Sequence, residues 1–385
     1  MKYISYAGQW LDSKDLQAVN KALLSEYLTQ GPAVARFERA VANYCGAKYA
    51  VAVSSGTAAL HIACLSAGLK SGDEGITSPI TFVASANAML YCGAKPVFAD
   101  IDDSTACIDA EEIKNKISGR TRVVIPVHFG GHPCEMDKIC SIVKDKGITV
   151  IEDACHALGA EFRGLKIGSC HFSDMTVFSF HSVKHITTGE GGMVLTNNKA
   201  LYQKLLLLRS HGITRNSQFL PRDHSPWYYE MRCLGFNYRL TDIQNALGLS
   251  QLKKLPRFLK KRKQIVNFYS REFSRLPGIK LLAEKPNLNS AHHLFIIRFA
   301  AAQFKASKET LYLEYKKNGI LANVHYIPVY YHPYYKKIGY RKGLCVNAES
   351  YFEEALTLPL YPKMTDRDVE LVIKTTKKIV NKYFR

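Results

Sequence analysis

Apolar and polar positions alternate along this chain with two different periods, and the switching between them lays out most of its elements. Short runs of apolar and β-branched residues fall at 49–53, 76–78, 95–101, 122–127, 148–151, 175–180 and 193–195. Runs of that length read as buried strands. Between them, apolar residues recur three and four apart, which predicts helices at 58–67, 81–90, 110–117 and 135–145. Further helices are expected at 13–25, with Ser13 as its N-cap, at 34–44 and at 199–210. Repeated strand–helix units imply a mostly parallel sheet with helices on both faces. In such sheets ligands bind beyond the carboxyl ends of the strands.

The pattern changes near residue 252. Residues 252–385 carry long helical patterns and two expected strands, 294–299 and 322–326. We therefore expect a large domain over 1–251 and a smaller α+β domain over 252–385, as a length of 385 residues suggests. Residues 211–234 read as irregular and polar, with Pro221, Pro226 and Trp227. A loop of that length suits a lid, a binding loop or an interface.

Composition narrows the partners. The net charge is +19, from 52 Lys and Arg against 33 Asp and Glu. Nucleic acid, an anionic small substrate or a solvated basic surface would each account for it. The basic clusters at 253–263 and 374–385 also carry apolar residues at helical spacing, so each reads as an amphipathic helix. No zinc-finger or RRM signature accompanies the charge, and no nucleic-acid partner is expected. The ten cysteines form no spaced framework, and neither a signal-peptide core nor a membrane-length apolar run is present. A cytoplasmic protein with reduced thiols is expected. His128, His132 and Cys134 lie close together but lack a second ligand pair at zinc spacing, so no metal is expected.

The candidate chemistry centres on residues 173–196, SDMTVFSFHSVKHITTGEGGMVLT. Lys184 stands between an apolar run and a turn containing Gly189, Gly191 and Gly192. A neutral lysine amine attacks carbonyls and forms Schiff bases; a solvated loop lysine would read the same in isolation. Ser55, Gly56 and Thr57 join a strand to a helix. Unpaired N–H groups and the helix dipole favour a phosphate there, and a simple N-cap is the plain alternative. Phe82 stands at the first turn of a helix, either over the sheet end or in the core. Asp153 stands at a strand's carboxyl end, where it can accept a hydrogen bond from a protonated pyridine nitrogen or cap a helix. His156 can bond a ring hydroxyl, pack beside a ring or serve structure alone. Asn237 and Arg239 are polar residues just ahead of a further helix. The stretch 323–335, NVHYIPVYYHPYY, offers flat faces with polar edges, as a sugar or nucleotide requires, or packs as a proline-rich loop.

Taken together, these motifs resemble the sugar-nucleotide aminotransferases of the DegT/DnrJ family, which are fold-type I, aspartate-aminotransferase-like pyridoxal phosphate enzymes. The matching stretches include LTQGPAVARFE, VSSGTAALH, SPITFVASANA, VIEDACHALGAEFRGLKIGS, FSFHSVKHITTGEGG, GFNYRLTDIQNALGLSQL, VHYIPVY and LPLYPKMT, in family order. The resemblance implies an α/β fold with a large domain, whose mostly parallel mixed sheet lies between helices, and a smaller C-terminal domain. It implies pyridoxal 5'-phosphate carried by Lys184, with Asp153 on the pyridine nitrogen, His156 beside the ring and Phe82 stacked on it. Ser55, Gly56, Thr57 and Ser179 would hold the phosphate, and Asn237 would reach the phosphate of a partner subunit in a homodimer with shared active sites. Substrate contacts implied by the resemblance are Tyr6, Tyr27, Leu28, Thr29, Asn323, Val324, His325 and Tyr326.

The implied reaction moves an amino group from glutamate to a nucleotide-linked keto sugar. Some relatives carry histidine in place of the lysine and dehydrate sugars; Lys184 favours transamination. Within the family the chain is most similar to the pseudaminic-acid branch, which aminates C4 of a UDP-linked 2-acetamido-2,6-dideoxy-4-keto-hexose. It departs from that branch at Gly56, where alanine is common. The alternatives are a 3- or 4-aminotransferase for another UDP, dTDP or GDP sugar, or a non-catalytic regulatory protein that binds the same cofactor.

Overall fold

The computed structural model describes residues 3–215, 220–221 and 225–385. Two helices come first, α1 (Ser13–Leu23) and α2 (Pro32–Cys45). Strands and helices then alternate: β1 (Tyr49–Val53), α3 (Gly56–Ser66), β2 (Glu74–Thr77), α4 (Ala84–Tyr91), β3 (Lys95–Phe98), α5 (Ala110–Lys116), β4 (Thr121–Ile125), α6 (Met136–Val143) and β5 (Thr149–Asp153). A short ribbon, β6 (Glu161–Phe162) and β7 (Leu165–Lys166), leads to β8 (Met175–Ser179) and β9 (Gly192–Thr196). Next come α7 (Lys199–Arg209), the two-residue strands β10 (Ile213–Thr214) and β11 (Glu230–Met231), and α8 (Asp242–Leu252). Parts of the 211–234 stretch expected to be irregular lie outside the described residues.

Seven strands form one sheet in the order β1-β9-β8-β5-β4-β2-β3. β9 runs antiparallel to both β1 and β8, and the remaining neighbours are parallel. Successive side chains of a strand point to opposite faces, and the core divides accordingly. Val51, Val53, Val123, Ile125, Met175 and Val177 face one cluster, while Ala50, Ala52, Val124 and Phe178 face the other. α3 has no wet face to speak of: nine of its residues are buried, and its small side chains let it lie close against the sheet, α4 and α7.

The rest of the chain runs through α9 (Leu255–Phe273), β12 (Ile279–Leu281), β13 (Leu288–Asn289), β14 (Phe295–Phe299), α10 (Lys308–Lys317), α11 (Pro333–Lys337), α12 (Val346–Glu354), β15 (Ala355–Leu358) and α13 (Asp366–Tyr383). β14 is the middle strand of a second, antiparallel sheet, β12-β14-β15. α9 and α13 bury Ile265, Tyr269, Phe273, Val372 and Ile379 in a third apolar cluster with this sheet, and Ile4 joins it. Most basic positions of 253–263 and 374–385 thus lie on the wet sides of amphipathic helices, with Arg262 the buried exception. Among the described residues no helix is long and apolar enough to cross a membrane.

The expected strand at 322–326 is not formed. The chain makes one bridge there, Asn323 to Thr357, and the Asn323 carbonyl oxygen Oδ1 takes the Val324 N–H at 2.8 Å. That local bond turns the backbone out of the sheet, and the aromatic residues beyond it serve a cavity instead of a strand face. The helix expected at 81–90 begins at Ala84, so Phe82 lies ahead of it.

Arg262 of α9 is fully buried and donates through one terminal nitrogen, Nη1, to the carbonyls of His292 (3.3 Å), His293 (3.1 Å) and Leu360 (2.9 Å). Burial pushes its guanidinium down to about 9. Arg262→Ala would strip these carbonyls of a charged donor, and we expect a loss of roughly 3 kcal/mol or more in urea unfolding.

Candidate active site

A cavity of about 630 Å³ opens beyond the carboxyl ends of β5 and β8, closed on the far side by the 323–326 segment. Asp153 ends β5, and strand alternation sends its carboxylate into the cavity while the neighbouring Glu152 points away. Asp153 accepts Ser85 Oγ at 2.6 Å on one oxygen and the Cys155 N–H at 3.1 Å on the other. Ser85 in turn shares a hydrogen bond with Thr81 at 2.8 Å. Glu152 is occupied elsewhere, by His128 Nε2 at 2.7 Å, Thr176 at 3.0 Å and Ser173. Burial raises its carboxyl, but these partners prevail and hold it below the ordinary carboxylate range. His128 Nδ1 accepts the Cys134 N–H at 3.0 Å, so both ring nitrogens of the would-be metal ligand are spoken for by protein. Among the described residues no group of three His, Cys, Asp or Glu is placed to hold a metal.

Lys184 follows β8 in the loop toward β9, its N–H bonded to the His181 carbonyl at 2.9 Å. Burial pulls its amine below the ordinary lysine value, against the opposing charges of Cys155 and Asp153. Four imidazoles surround it. Burial, reinforced by the Lys184 charge, holds His156, His185 and His293 well below their usual range and His325 down to about 3. The His156 and His293 rings lie 4.4 Å apart, and His185 Nε2 bonds the Ala291 carbonyl at 3.0 Å. His156 Nε2 is 3.2 Å from the Tyr326 hydroxyl, while its buried Nδ1 has no partner.

Ser55 caps α3, its hydroxyl taking the Ala58 N–H at 3.0 Å. The first N–H groups of the helix, on Gly56 and Thr57, have no intrahelical acceptor and lie at the cavity wall. A Cβ on Gly56 would come within 3.0 Å of Ser179 Cβ and 3.3 Å of Cys155 Sγ, so glycine keeps α3 close to β8.

The cavity thus brings together Ser55, Gly56, Thr57, Phe82, Asp153, His156, Ser179 and Lys184, with Tyr6, Asn323, Val324, His325 and Tyr326 on its outer side. Phe82 stands at the mouth, 59% exposed, its ring 6.5 Å from that of Tyr326. Tyr27, Leu28, Thr29 and Asn237 do not line this chain's cavity; all four are exposed. They lie near one another, because Thr29 bridges Thr241 and Asp242 binds the N–H groups of Gly31 (2.7 Å) and Ala33 (2.9 Å). The sequence reading missed Ser85, Cys155, Glu190 and His293. Cys155, two residues from Asp153, and Glu190, in the glycine turn after Lys184, were near enough to suspect; the other two reach the site only through the fold.

This arrangement, a desolvated lysine and a hydrogen-bonded aspartate facing one cavity beside a helix N-terminus, is that of a pyridoxal phosphate aminotransferase. The DegT/DnrJ/EryC1/StrS aminotransferase family matches residues 9–377, and the chain belongs to that family. It is 39% identical to the UDP-4-amino-4,6-dideoxy-N-acetyl-β-L-altrosamine transaminase of Campylobacter jejuni, covering 98% of each chain. It is 34% identical to the GDP-perosamine synthase of Caulobacter vibrioides, again over 98% of each. Among solved structures, Helicobacter pylori PseC, an aminotransferase involved in the biosynthesis of pseudoaminic acid, superposes with a TM-score of 0.92 at 34% identity, covering 99% of this chain and 100% of that one. The pyridoxal phosphate form of a putative sugar aminotransferase from Streptococcus pneumoniae, Spr1654, gives 0.91 at 31% identity over 99% of both. The protein is a pyridoxal phosphate-dependent sugar aminotransferase with the fold of that class. The residues present fit the cofactor: a buried Nδ1 on His156 without a partner, free N–H groups at the α3 N-terminus, and a fixed carboxylate.

The buried imidazoles make stability depend on pH. Folded, they stay neutral; unfolded, they take up protons below about 6.5. Acid therefore favours the unfolded chain, and stability falls as pH drops from 7 to 5, by roughly 2 kcal/mol for His325 alone. Urea unfolding at pH 7, 6 and 5 should show the midpoint falling, and a flat profile would contradict the neutral-imidazole assignment.

Proposed function

We propose that the protein transfers the amino group of glutamate to C4 of a nucleotide-linked 4-keto-6-deoxy sugar, in particular UDP-2-acetamido-2,6-dideoxy-β-L-arabino-hexos-4-ulose, the substrate of the pseudaminic-acid branch. The observation that carries the chemistry is Lys184 and Asp153 facing one cavity. The identity of 39% over nearly the whole C. jejuni transaminase supports the choice of sugar.

When bound, the cofactor supplies an electron sink for the carbon that bears nitrogen. The chain does the rest. Lys184 would carry the cofactor, and its Nζ, an amine already lowered by burial, is placed to take a proton from that carbon and return one. Asp153, fixed by Ser85 and the Cys155 N–H, would accept from the pyridine nitrogen. Phe82 and His156 would flank the ring; Ser55, Gly56, Thr57 and Ser179 would take the phosphate. Tyr6, Asn323, Val324, His325 and Tyr326 face the sugar and keep water from it.

The working unit in this proposal is a homodimer. Tyr27, Leu28, Thr29 and Asn237 are exposed and outside their own cavity, as residues that complete a partner's site would be. A second reading, another nucleotide on the sugar, is favoured by the similarity to GDP-perosamine synthase. Mass spectrometry of products from UDP-, dTDP- and GDP-linked 4-keto sugars with glutamate separates the two.

Purified protein should absorb in the visible and be bleached by glutamate. Lys184→Ala should abolish both, and borohydride trapping should label Lys184 alone. No bleaching of the wild type would leave only a non-catalytic cofactor-binding protein. For the dimer, Lys184→Ala and Asn237→Ala are each expected to be inactive. Randomly reassembled mixtures of the two should recover about a quarter of wild-type activity, since half the dimers regain one of two intact sites. An inactive mixture would put Asn237 in its own chain's site, and an active Asn237→Ala homodimer would put it in none.

A further inference from the structure

Of the ten cysteines, Cys155 lines the active cavity and the others lie outside it. Burial pushes the thiols of Cys45, Cys155, Cys170 and Cys345 upward, so they stay protonated and unreactive. A different environment exists between α3 and α4. Cys64 stands near the end of α3 and is fully buried. Cys92 follows the last residue of α4 and is half-buried. Both pack in the same apolar cluster, and their thiols share a hydrogen bond.

His61 completes the group, one turn before Cys64 on the same helix. Its Nδ1 is 3.2 Å from the Tyr238 hydroxyl, and its ring lies 5.4 Å from that of Tyr91 and 4.9 Å from that of Phe236. Packed against those rings, the imidazole also bonds the Cys92 sulfur. The hydrogen bonds from Cys64 and His61 pull the Cys92 thiol down to about 6, against its burial. Cys64, which shares its proton with Cys92 and is fully buried, is pushed well above the ordinary thiol value. Cys107 and Cys134 form a like pair beside His132, whose Nδ1 is 3.7 Å from Cys107 Sγ, but both of those thiols are buried. The outer pair therefore has what the inner one lacks, a sulfur within reach of solvent.

We propose that Cys92 and Cys64 form an oxidation site, in which a peroxide reacts first at Cys92 and Cys64 then closes the product into a disulfide. The Cys92 thiolate attacks the peroxide and the O–O bond breaks. One oxygen stays on sulfur as a sulfenic acid, and the other leaves as hydroxide or alkoxide and takes a proton from water. The Cys64 sulfur then attacks Cys92 Sγ. The S–S bond forms, the S–O bond breaks, and water leaves with the Cys64 proton. Two thiols thus give two electrons to one peroxide. The roles follow from the structure: the half-buried sulfur meets the oxidant, and the buried one waits in contact with it. The crosslink would tie the end of α3 to the end of α4, the helices whose opposite ends carry the Ser55 cap and Ser85. It stands apart from the choice of sugar made above.

The test treats the full-length, cofactor-loaded protein with hydrogen peroxide, then alkylates it and maps its peptides without reductant. Two thiols should disappear together and a Cys64–Cys92 crosslinked peptide should form. Half-buried Cys140 serves as the internal reference and should react about tenfold more slowly. The rate at Cys92 should fall as pH drops through about 6, where its thiolate takes up a proton. Cys64→Ala removes the second thiol, and Cys92 should then accumulate as a sulfenic acid that dimedone traps. Cys92→Ser should leave Cys64 reduced. Oxidation of Cys140 ahead of Cys92, oxidation of Cys92 without a crosslink to Cys64, or oxidation of Cys64 at an unchanged rate in Cys92→Ser would overturn the proposal. The wild-type peptide map decides the first two of these even if a variant fails to fold.

Discussion

A lysine amine drawn partly out of water is useful only if the groups around it stay uncharged or are matched to it, and much of the structure follows from that requirement. Burial lowers Lys184, and the same burial keeps four neighbouring imidazoles neutral. The buried carboxylate of the cavity, Asp153, is not left to move: a serine hydroxyl and a backbone N–H hold its two oxygens. Its neighbour Glu152 would place a second negative charge in the site, but strand alternation turns it to the opposite face, where His128, Ser173 and Thr176 satisfy it.

The cavity lies between the two main sheets. Its floor belongs to the seven-stranded sheet, and its outer wall is the 323–326 segment beside the second sheet. Arg262 fastens this seam from α9 by gathering the carbonyls of residues 292, 293 and 360. His293, whose carbonyl it holds, packs its ring 4.4 Å from His156. The buried guanidinium of α9 thereby steadies a ring beside His156. Loss of such a clamp would be felt in stability and in the site together, because both depend on the same backbone turn.

Some of the expected elements moved for reasons that are themselves functional. The 322–326 run has strand-like composition, yet Asn323 bonds its own backbone and the segment bends to line the cavity. The helix expected from residue 81 starts at Ala84, which leaves Thr81 free to bond Ser85 and Phe82 free at the mouth. In both places the local pattern favours regular structure, and side-chain work at the site overrides it.

The alternation of apolar runs and helical spacing was enough to give the parallel sheet, since strand burial on both faces leaves a signature in neighbouring residues alone. For Lys184, Asp153 and the turn at Ser55 to Thr57 the pattern marked only places after strands; the choice between a chemical and a plain reading came from the family resemblance. What the sequence could not carry was whatever depends on residues far apart in the chain. Ser85 meets Asp153 across 68 positions, and Arg262 meets Leu360 across 98. Such contacts have no period and no local propensity behind them. They exist because two packed layers bring distant backbone into one interior, where most polar atoms find a partner, and only the tertiary structure decides which partner that is.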